Sequence, residues 1–303
     1  MSDGFPVELL FVVPLLIFYY FFRPYYAAYL FVRPPRMKIA YFTPTNLGVT
    51  YEDVVLTSQD GVKLAGWYIP SRNQAAVILL HGHSGNRLGV VHQAEALLQA
   101  GYGILMYDLR AHGSSGGRRF ARGQSSVDDV LAAVAYLSKR PDVQPGGIGA
   151  MGVSVGGMFA LQAAAQTVAI RAVGGEGTSP AVLADVPAPT AWWRQFAYRQ
   201  QKLYMRFILR FARQKSLPSN AAAAARLGQR PLLLIATGAG DEAKMLQNLA
   251  DKVETAVFWQ IPEARHGQGW HTRQNEYNHR LVAFFNEALS RQEQTQSVPP
   301  EEE

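Results

Sequence analysis

The feature that most constrains the fold is a serine set between an apolar run and a small-residue run. Residues 148–153 are apolar, Ser154 follows, and residues 155–165 are mostly small and apolar. Gly152 and Gly156 flank the serine, as required where a chain turns so sharply that side chains have no room. The pattern predicts a strand, a strained turn presenting the Ser154 hydroxyl, and a helix. A glycine-rich turn with a surface serine is the alternative, because three fixed residues are weak evidence in a chain with 27 glycines.

Apolar strands and helical segments alternate along the rest of the chain. The run at residues 76–80 is apolar throughout, as is typical of a parallel strand buried on both faces. Helices are expected at 87–100 and 127–139. Strands are expected at 51–57, 62–69, 76–80, 103–107, 148–153, 231–236 and 256–261. This order predicts an α/β fold with a mostly parallel central sheet and helices on both faces.

Polar residues follow several of these strands, at the edge where α/β proteins place their active sites. His81-Gly82-His83 follows the strand at 76–80. Asp241-Glu242 comes after the strand at 231–236, and His266 after the strand at 256–261. Together with Ser154 this gives serine, acid and histidine in chain order, the order of a hydrolytic triad.

Taken together, these pieces resemble the serine α/β-hydrolases, in particular membrane-anchored ones related to monoacylglycerol lipases, acyl-protein thioesterases and serine aminopeptidases. The resemblance covers residues 51–289 and implies the α/β-hydrolase fold. Two positions depart from the family pattern: Glu242-Ala243 follows the candidate acid instead of a Val-Pro-like pair, and Ala111 stands where glycine is common. The resemblance is carried by His81-Gly82, Asp108-x-Arg110-x-His112-Gly113, Gly152-x-Ser154-x-Gly156, Gly240-Asp241 and His266-Gly267.

The roles expected from these positions form a triad with an oxyanion hole. Ser154 is the expected nucleophile and His266 the base that takes its proton. Asp241 is expected to orient His266, with Glu242 as the alternative acid. The backbone N–H groups of Val155 and His83 are the expected oxyanion donors.

Other polar residues of the matching motifs are expected to be structural. Asp108 and Arg110 would tie a loop together, because this chemistry needs no second acid–base pair. His81 and His112 fit structural places in the same motifs.

The N-terminal stretch at residues 5–22 is apolar apart from Glu8 and is close to the length that spans a bilayer. It predicts a single-pass membrane helix, with a hydrophobic helix docked on the domain as the alternative. Tyrosines cluster at its C-terminal side, as at a membrane interface. Cations follow the stretch, whereas Asp3 precedes it and Glu8 lies within it, so the positive-inside rule predicts a cytoplasmic hydrolase domain. The cations are Arg23, Arg33, Arg36 and Lys38.

The chain therefore divides into three parts. Residues 1–38 are expected to be a membrane anchor and juxtamembrane segment, and residues 45–290 the hydrolase domain. Residues 291–303 are polar and predict a disordered tail. Because Arg33-Pro34-Pro35-Arg36 indicates a linker, we also expect the domain to fold and act without residues 1–38.

An insertion at about 178–228 is expected to form a helical lid. No acidic residue occurs between 186 and 240. Cations recur there at helical spacing, and aromatic residues populate another part of the same helix. This pattern favours either a helix at an anionic bilayer surface or an amphipathic lid with its cations in water. The spaced cations are Arg199, Lys202, Arg206, Arg210 and Arg213.

Composition narrows the function classes further. The chain has 48% hydrophobic residues and a net charge of +6, and it has no cysteine. The absence of cysteine excludes disulfides, thiolate metal sites and a thiol nucleophile. No cofactor or metal site is expected, and the basic lid is too short to indicate nucleic-acid binding.

The sequence predicts a serine hydrolase that cleaves a carboxylic ester or thioester of acyl or lipid type, with membrane lipid as a partner. A serine peptidase acting on short peptides and a catalytically inactive membrane-tethered interaction module are the alternatives.

Overall fold

The computed structural model describes residues 9–290, so the tail expected at 291–303 lies outside the described residues. Eight strands form one sheet in the order β1-β2-β4-β3-β5-β6-β7-β8. They are β1 (Glu52–Thr57), β2 (Lys63–Ile69), β3 (Ala76–Leu80), β4 (Gly103–Tyr107), β5 (Ile148–Val153), β6 (Ile170–Glu176), β7 (Leu232–Thr237) and β8 (Ala256–Ile261).

The sheet is mostly parallel, as predicted. β1, β2 and β4 pair antiparallel, and every pair from β4 through β3 to β8 is parallel. All residues of β3, β4, β5 and β7 are buried, because helices cover both faces of the sheet. The carboxyl ends of β3, β5, β7 and β8 therefore meet at one edge, where the expected site residues lie.

Nine α-helices occur within residues 9–290. Helices α3, α4, α6 and α7 contribute to the core on one face of the sheet, and α2 and α9 to the core on the other. The helices are α1 (Leu9–Phe31), α2 (Val91–Gln99), α3 (Gln124–Leu137), α4 (Val155–Ala164), α5 (Trp192–Ala212), α6 (Asn220–Ala224), α7 (Glu242–Ala250), α8 (Gly269–Thr272) and α9 (Gln274–Ser290).

Helix α1 runs nine residues beyond the apolar stretch predicted from the sequence. Its segment Phe11–Phe31 is long and apolar enough to cross a membrane, and most of it is exposed. The second half of α1 packs along α5, the long helix of the insertion expected at about 178–228. The Tyr25 ring lies 5.4 Å from that of Phe207 and 5.0 Å from that of Phe211, centroid to centroid. The aromatic residues in the second half of α5 thus pack against α1.

The segment after α1 differs from the expected linker. The Arg36 guanidinium donates to the carbonyls of Ser115 and Gly117. The Phe120 N–H donates to the Val32 carbonyl at 2.8 Å. These bonds join residues 32–36 to the loop after β4. A domain that begins at residue 45 and folds without residues 1–38 stays a prediction, and removal of residues 1–38 would break these bonds.

Candidate active site

Ser154 occupies the strained turn that the sequence predicts between β5 and α4. Its backbone has φ 57° and ψ −117°, a conformation that costs free energy for any residue with a side chain. A Cβ on Gly156 would lie 2.3 Å from the Leu80 carbonyl oxygen. Only glycine fits there, because the turn presses the start of α4 against the end of β3.

Hydrogen bonds from the neighbouring loop hold Ser154 in place. Its N–H donates to the Glu176 carbonyl at 2.8 Å, and its own carbonyl accepts from the Ser179 N–H at 3.1 Å. The Ser154 hydroxyl lies 3.2 Å from the Ser179 hydroxyl. The end of β6 and the loop after it therefore contact both the backbone and the hydroxyl of the candidate nucleophile.

His266 follows β8 and is paired with a carboxylate. Its Nδ1 lies 2.5 Å from Glu242 Oε2. The other oxygen, Glu242 Oε1, accepts from the N–H and the hydroxyl of Thr237, at 2.7 and 2.8 Å. Because Nδ1 donates to Glu242, the Nε2 atom of a neutral His266 is left as an acceptor.

The pairing shifts both pKa values. The hydrogen bond to Glu242 raises the pKa of His266 above its ordinary value, and burial opposes the shift only in part. Burial alone would raise the pKa of Glu242, but the hydrogen bonds from His266 and Thr237 outweigh it and lower that pKa. The carboxylate therefore stays ionised beside the imidazole.

The expected partner of His266, Asp241, lies elsewhere, and this corrects our assignment. Asp241 is exposed and forms an ion pair with Arg194 of α5. It precedes α7, whereas Glu242 is the first residue of that helix and is largely buried. The longer glutamate side chain reaches back to the end of β7 and meets His266. The alternative acid is the one that the structure places at the site.

The His266 ring lies against the loop that holds Ser154. A Cβ on Gly177 would lie 2.7 Å from His266 Cε1, and a Cβ on Gly267 would lie 3.2 Å from Val153 Cγ1. Gly177 follows Glu176, whose carbonyl accepts from Ser154. His266 and Ser154 thus both contact the same short loop after β6.

Glu176, the last residue of β6, carries a buried carboxylate that was not expected from the sequence. It accepts from the Gly269 N–H at 2.7 Å and from the Tyr277 hydroxyl at 2.8 Å. Burial raises its pKa. An acid directly after the apolar run at residues 172–175 is the signal that could have identified it.

The two expected oxyanion donors flank Ser154. Val155 is the first residue of α4, directly after the serine. A Cβ on Gly82 would lie 3.6 Å from Ser154 Cβ, so the loop that carries His83 adjoins the nucleophile. Within that loop, the Ser84 N–H donates to His112 Nε2 at 3.1 Å.

The structural roles expected for the motif residues agree with their contacts. Leu109 N–H donates to His81 Nε2 at 2.9 Å, and burial lowers the pKa of His81 to about 4. Burial and the neighbouring His81 lower the pKa of His112 to about 3. Both rings are therefore neutral. Arg110 forms buried hydrogen bonds with Asp129, and Asp108 accepts from the Arg87 and Ser114 N–H groups.

The N-terminal helix reaches this site through His83. The Phe31 ring stacks on the His83 ring, with centroids 3.9 Å apart and planes 7° apart. His83 Nε2 donates to the Phe31 carbonyl at 2.7 Å. Burial lowers the pKa of His83. The last turn of α1 therefore supports the loop beside Ser154, and this long-range contact has no sequence signal.

Within residues 9–290, no group of three or more His, Asp or Glu side chains forms a metal site.

Comparison with known proteins agrees with this architecture. The family model for the alpha/beta hydrolase fold matches residues 75–287. An esterase of Pyrococcus furiosus superposes with a TM-score of 0.68 at 27% identity, covering 86% of this chain and 99% of that one.

Curated relatives match over shorter segments. An uncharacterized protein of Mycobacterium tuberculosis is 36% identical over 117 residues, which are 38% of this chain and 41% of that protein. A thiohydrolase of Aspergillus aculeatus is 30% identical over 135 residues, which are 43% of this chain and 42% of that protein. The chain thus spans about two fifths of the length of these relatives. The fold and the family match support a hydrolase. This chain belongs to the alpha/beta hydrolase fold family.

Proposed function

We propose that this protein is a membrane-associated serine hydrolase that cleaves an acyl ester or thioester through a covalent acyl-enzyme. The observation that carries the proposal is the strained serine between β5 and α4, with the Glu242–His266 pair beside the loop that holds it. The esterase and thiohydrolase relatives support ester or thioester substrates.

In the proposed reaction, the Ser154 oxygen attacks the carbonyl carbon while His266 Nε2 takes the hydroxyl proton. Glu242 accepts the Nδ1–H and stabilises the resulting imidazolium. The N–H groups of Val155 and His83 receive the negative charge on the former carbonyl oxygen. His266 then protonates the leaving alcohol or thiol. A water molecule that gives its proton to His266 attacks the acyl-enzyme, releases the acid and restores Ser154.

The pH dependence follows from the raised pKa of His266, because only the neutral ring accepts a proton. Activity should fall as pH decreases through that pKa, so we expect the acid limb of kcat/KM to have its midpoint above 6.5. Glu242→Gln removes the hydrogen-bonded charge and should move the midpoint to lower pH. Rates of p-nitrophenyl acetate hydrolysis from pH 5 to 9 measure both midpoints. Equal midpoints would contradict the role of Glu242.

The membrane part of the proposal rests on one exposed apolar surface shared by two helices. On α1, Phe11, Leu15 and Leu16 are exposed. At the start of α5, Trp192 and Trp193 are 81% and 65% exposed. The two regions adjoin, because the Phe196 ring lies 5.2 Å from Tyr20, centroid to centroid. A continuous apolar surface of this kind marks a membrane or partner contact, and tryptophans are enriched at bilayer interfaces.

Orientation follows from charge. The cations after the apolar part of α1 support a cytoplasmic location of the hydrolase domain, by the positive-inside rule. Since the end of α1 also braces the loop of His83, the site would lie close to the lipid surface and receive acyl substrates from it.

Tryptophan fluorescence tests the proposed contact of α5 with lipid. The chain has five tryptophans, and Trp67 and Trp259 are buried. In vesicles whose lipids have brominated acyl chains, we expect the tryptophan fluorescence of the full-length protein to be strongly quenched. The reason is that the bromine atoms would lie close to Trp192 and Trp193. Trp192→Phe with Trp193→Phe should remove most of the quenching, whereas Trp270→Phe, the matched control, should leave it. Quenching that persists in the double variant would contradict the contact.

A substrate panel tests the proposed reaction. The full-length protein in detergent should hydrolyse p-nitrophenyl esters and acyl thioesters, with a preference among chain lengths, and should leave aminoacyl p-nitroanilides largely intact. Faster turnover of the anilides would favour the peptidase alternative. Failure to turn over any of the three classes would favour the inactive interaction module.

A further inference from the structure

A cavity of about 200 Å³ lies between α5 and the loop that follows Ser179. Its walls include apolar side chains, among them Met205, Ile208 and Leu209. Three cations also line it: Arg122, Lys202 and Arg206. The cavity therefore combines an apolar lining with a cluster of positive charge.

In the part of the chain that the structure describes, these cations form no contact ion pair with a carboxylate, although Asp185 attracts Arg122 from beyond ion-pair distance. Among residues 9–290, no Asp or Glu forms an ion pair with any of the three. Lys202 and Arg206 are four residues apart on α5, a spacing at which like charges repel. Lys202 and Arg206 are exposed and Arg122 is partly buried, so the three cations together give the cavity a positive potential that attracts an anion.

Arg122 gives the strongest indication of a missing partner. One of its terminal nitrogens donates to the Pro180 carbonyl. Its Nε is buried and has no hydrogen-bond partner. A buried donor without a partner costs free energy, so such groups usually bind a water molecule or a ligand.

The cavity wall and the loop that holds the candidate nucleophile belong to one short segment, because Ala181 of the wall lies two residues after Ser179. Pro180, which accepts from Arg122, follows Ser179, whose hydroxyl lies 3.2 Å from that of Ser154. On its other side, the Arg122 guanidinium faces the Phe31 ring at 6.0 Å, and Phe31 stacks on His83. Arg122 therefore lies between the cavity and the two loops that flank Ser154.

We propose that this cavity binds an anionic group of the substrate, so that the enzyme prefers esters or thioesters carrying a carboxylate or phosphate. Arg122 supplies the buried contact, and Lys202 and Arg206 supply two further positive charges. This inference rests on the proposed function, because it assigns a substrate class to the site built around Ser154. The anion can belong to the acyl chain or to the leaving group, as in a lysolipid with a phosphate headgroup.

The test compares substrates matched in length but not in charge. We expect the full-length protein to have a higher kcat/KM for the mono-p-nitrophenyl ester of glutaric acid than for p-nitrophenyl pentanoate. Lys202→Gln with Arg206→Gln should lower this ratio about tenfold, as expected for two lost contacts with an anion. Arg199→Gln with Arg210→Gln is the matched control, because these cations lie on α5 outside the cavity, and it should leave the ratio unchanged.

A second substrate pair locates the anion. Lysophosphatidate and monoacylglycerol with the same acyl chain differ by a phosphate on the leaving group. A preference for lysophosphatidate that is lost in the cavity variant places the anion on the leaving group, whereas a preference confined to the glutarate ester places it on the acyl chain.

Several outcomes would overturn the inference. No charge preference in the unmodified protein, or an equal fall in the cavity and control variants, would show that the cavity does not select anions. If pentanoate is hydrolysed through Ser154 but neither anionic substrate is favoured, the proposed function stands and this inference fails. If no ester is turned over, calorimetric binding of the glutarate ester to Ser154→Ala, with and without the cavity changes, decides the inference separately: equal affinities would overturn it.

Discussion

Replacing Ser154 with alanine is expected to lower kcat/KM for short esters by about 10⁴-fold or more. The reason is that no acyl-enzyme can form without the hydroxyl, and only the oxyanion donors and binding contacts remain. Hydrolysis of p-nitrophenyl butyrate by the purified full-length protein measures the change.

Folding provides the control for this variant. Alanine retains a Cβ, so it meets the same strain at φ 57° and removes only the hydroxyl. The midpoint of thermal unfolding should therefore remain within a few degrees of that of the unmodified protein. A folded variant that retains normal turnover would show that Ser154 is not the nucleophile.

The second large effect separates two adjacent acids. Glu242→Gln is expected to lower kcat by about 10³–10⁴-fold, because an amide cannot hold His266 in the required tautomer or stabilise its charged form. Asp241→Asn removes only an exposed ion pair with Arg194 and should change kcat by less than about threefold. Steady-state kinetics of both variants on one short ester make the comparison.

The pair of variants is its own control, since both changes convert a carboxylate to an amide at neighbouring positions. A severe loss in Asp241→Asn with a mild one in Glu242→Gln would restore the assignment expected from the sequence. Severe losses in both would indicate that the loop after β7 must keep both charges.

Much of the fold was predictable because its determinants are local. Buried parallel strands such as β3 are apolar at every position, and the turn at Ser154 needs glycine where backbones touch. Chain order and position after the strands also indicated His266. These signals lie within a few residues of the elements they define.

The acid was misplaced by one residue because loop position does not determine side-chain direction. Asp241 and Glu242 both follow β7, and only the start of α7 decides which of them faces His266. The longer side chain, which also accepts two hydrogen bonds from Thr237, is the one that reaches inward.

Contacts between distant segments could not be predicted from the sequence. Phe31 meets His83 across 52 residues of chain, and Arg122 meets Pro180 across 58. Neither pair has a motif, and the Pro-containing segment at residues 33–36 indicated a linker where the structure has hydrogen bonds to the domain. Such contacts depend on how α1 and α5 pack, which a pattern in one segment does not determine.

Mass spectrometry of the protein after reaction with a fluorophosphonate tests the central claim most directly. The reagent forms a stable bond to an activated serine, and peptide mapping identifies the residue that carries it. We expect one adduct, on Ser154, in the unmodified protein and in Asp241→Asn. The adduct should form much more slowly in Glu242→Gln and should be absent from Ser154→Ala. An adduct on a different residue, or no adduct on a folded protein, would contradict the central claim.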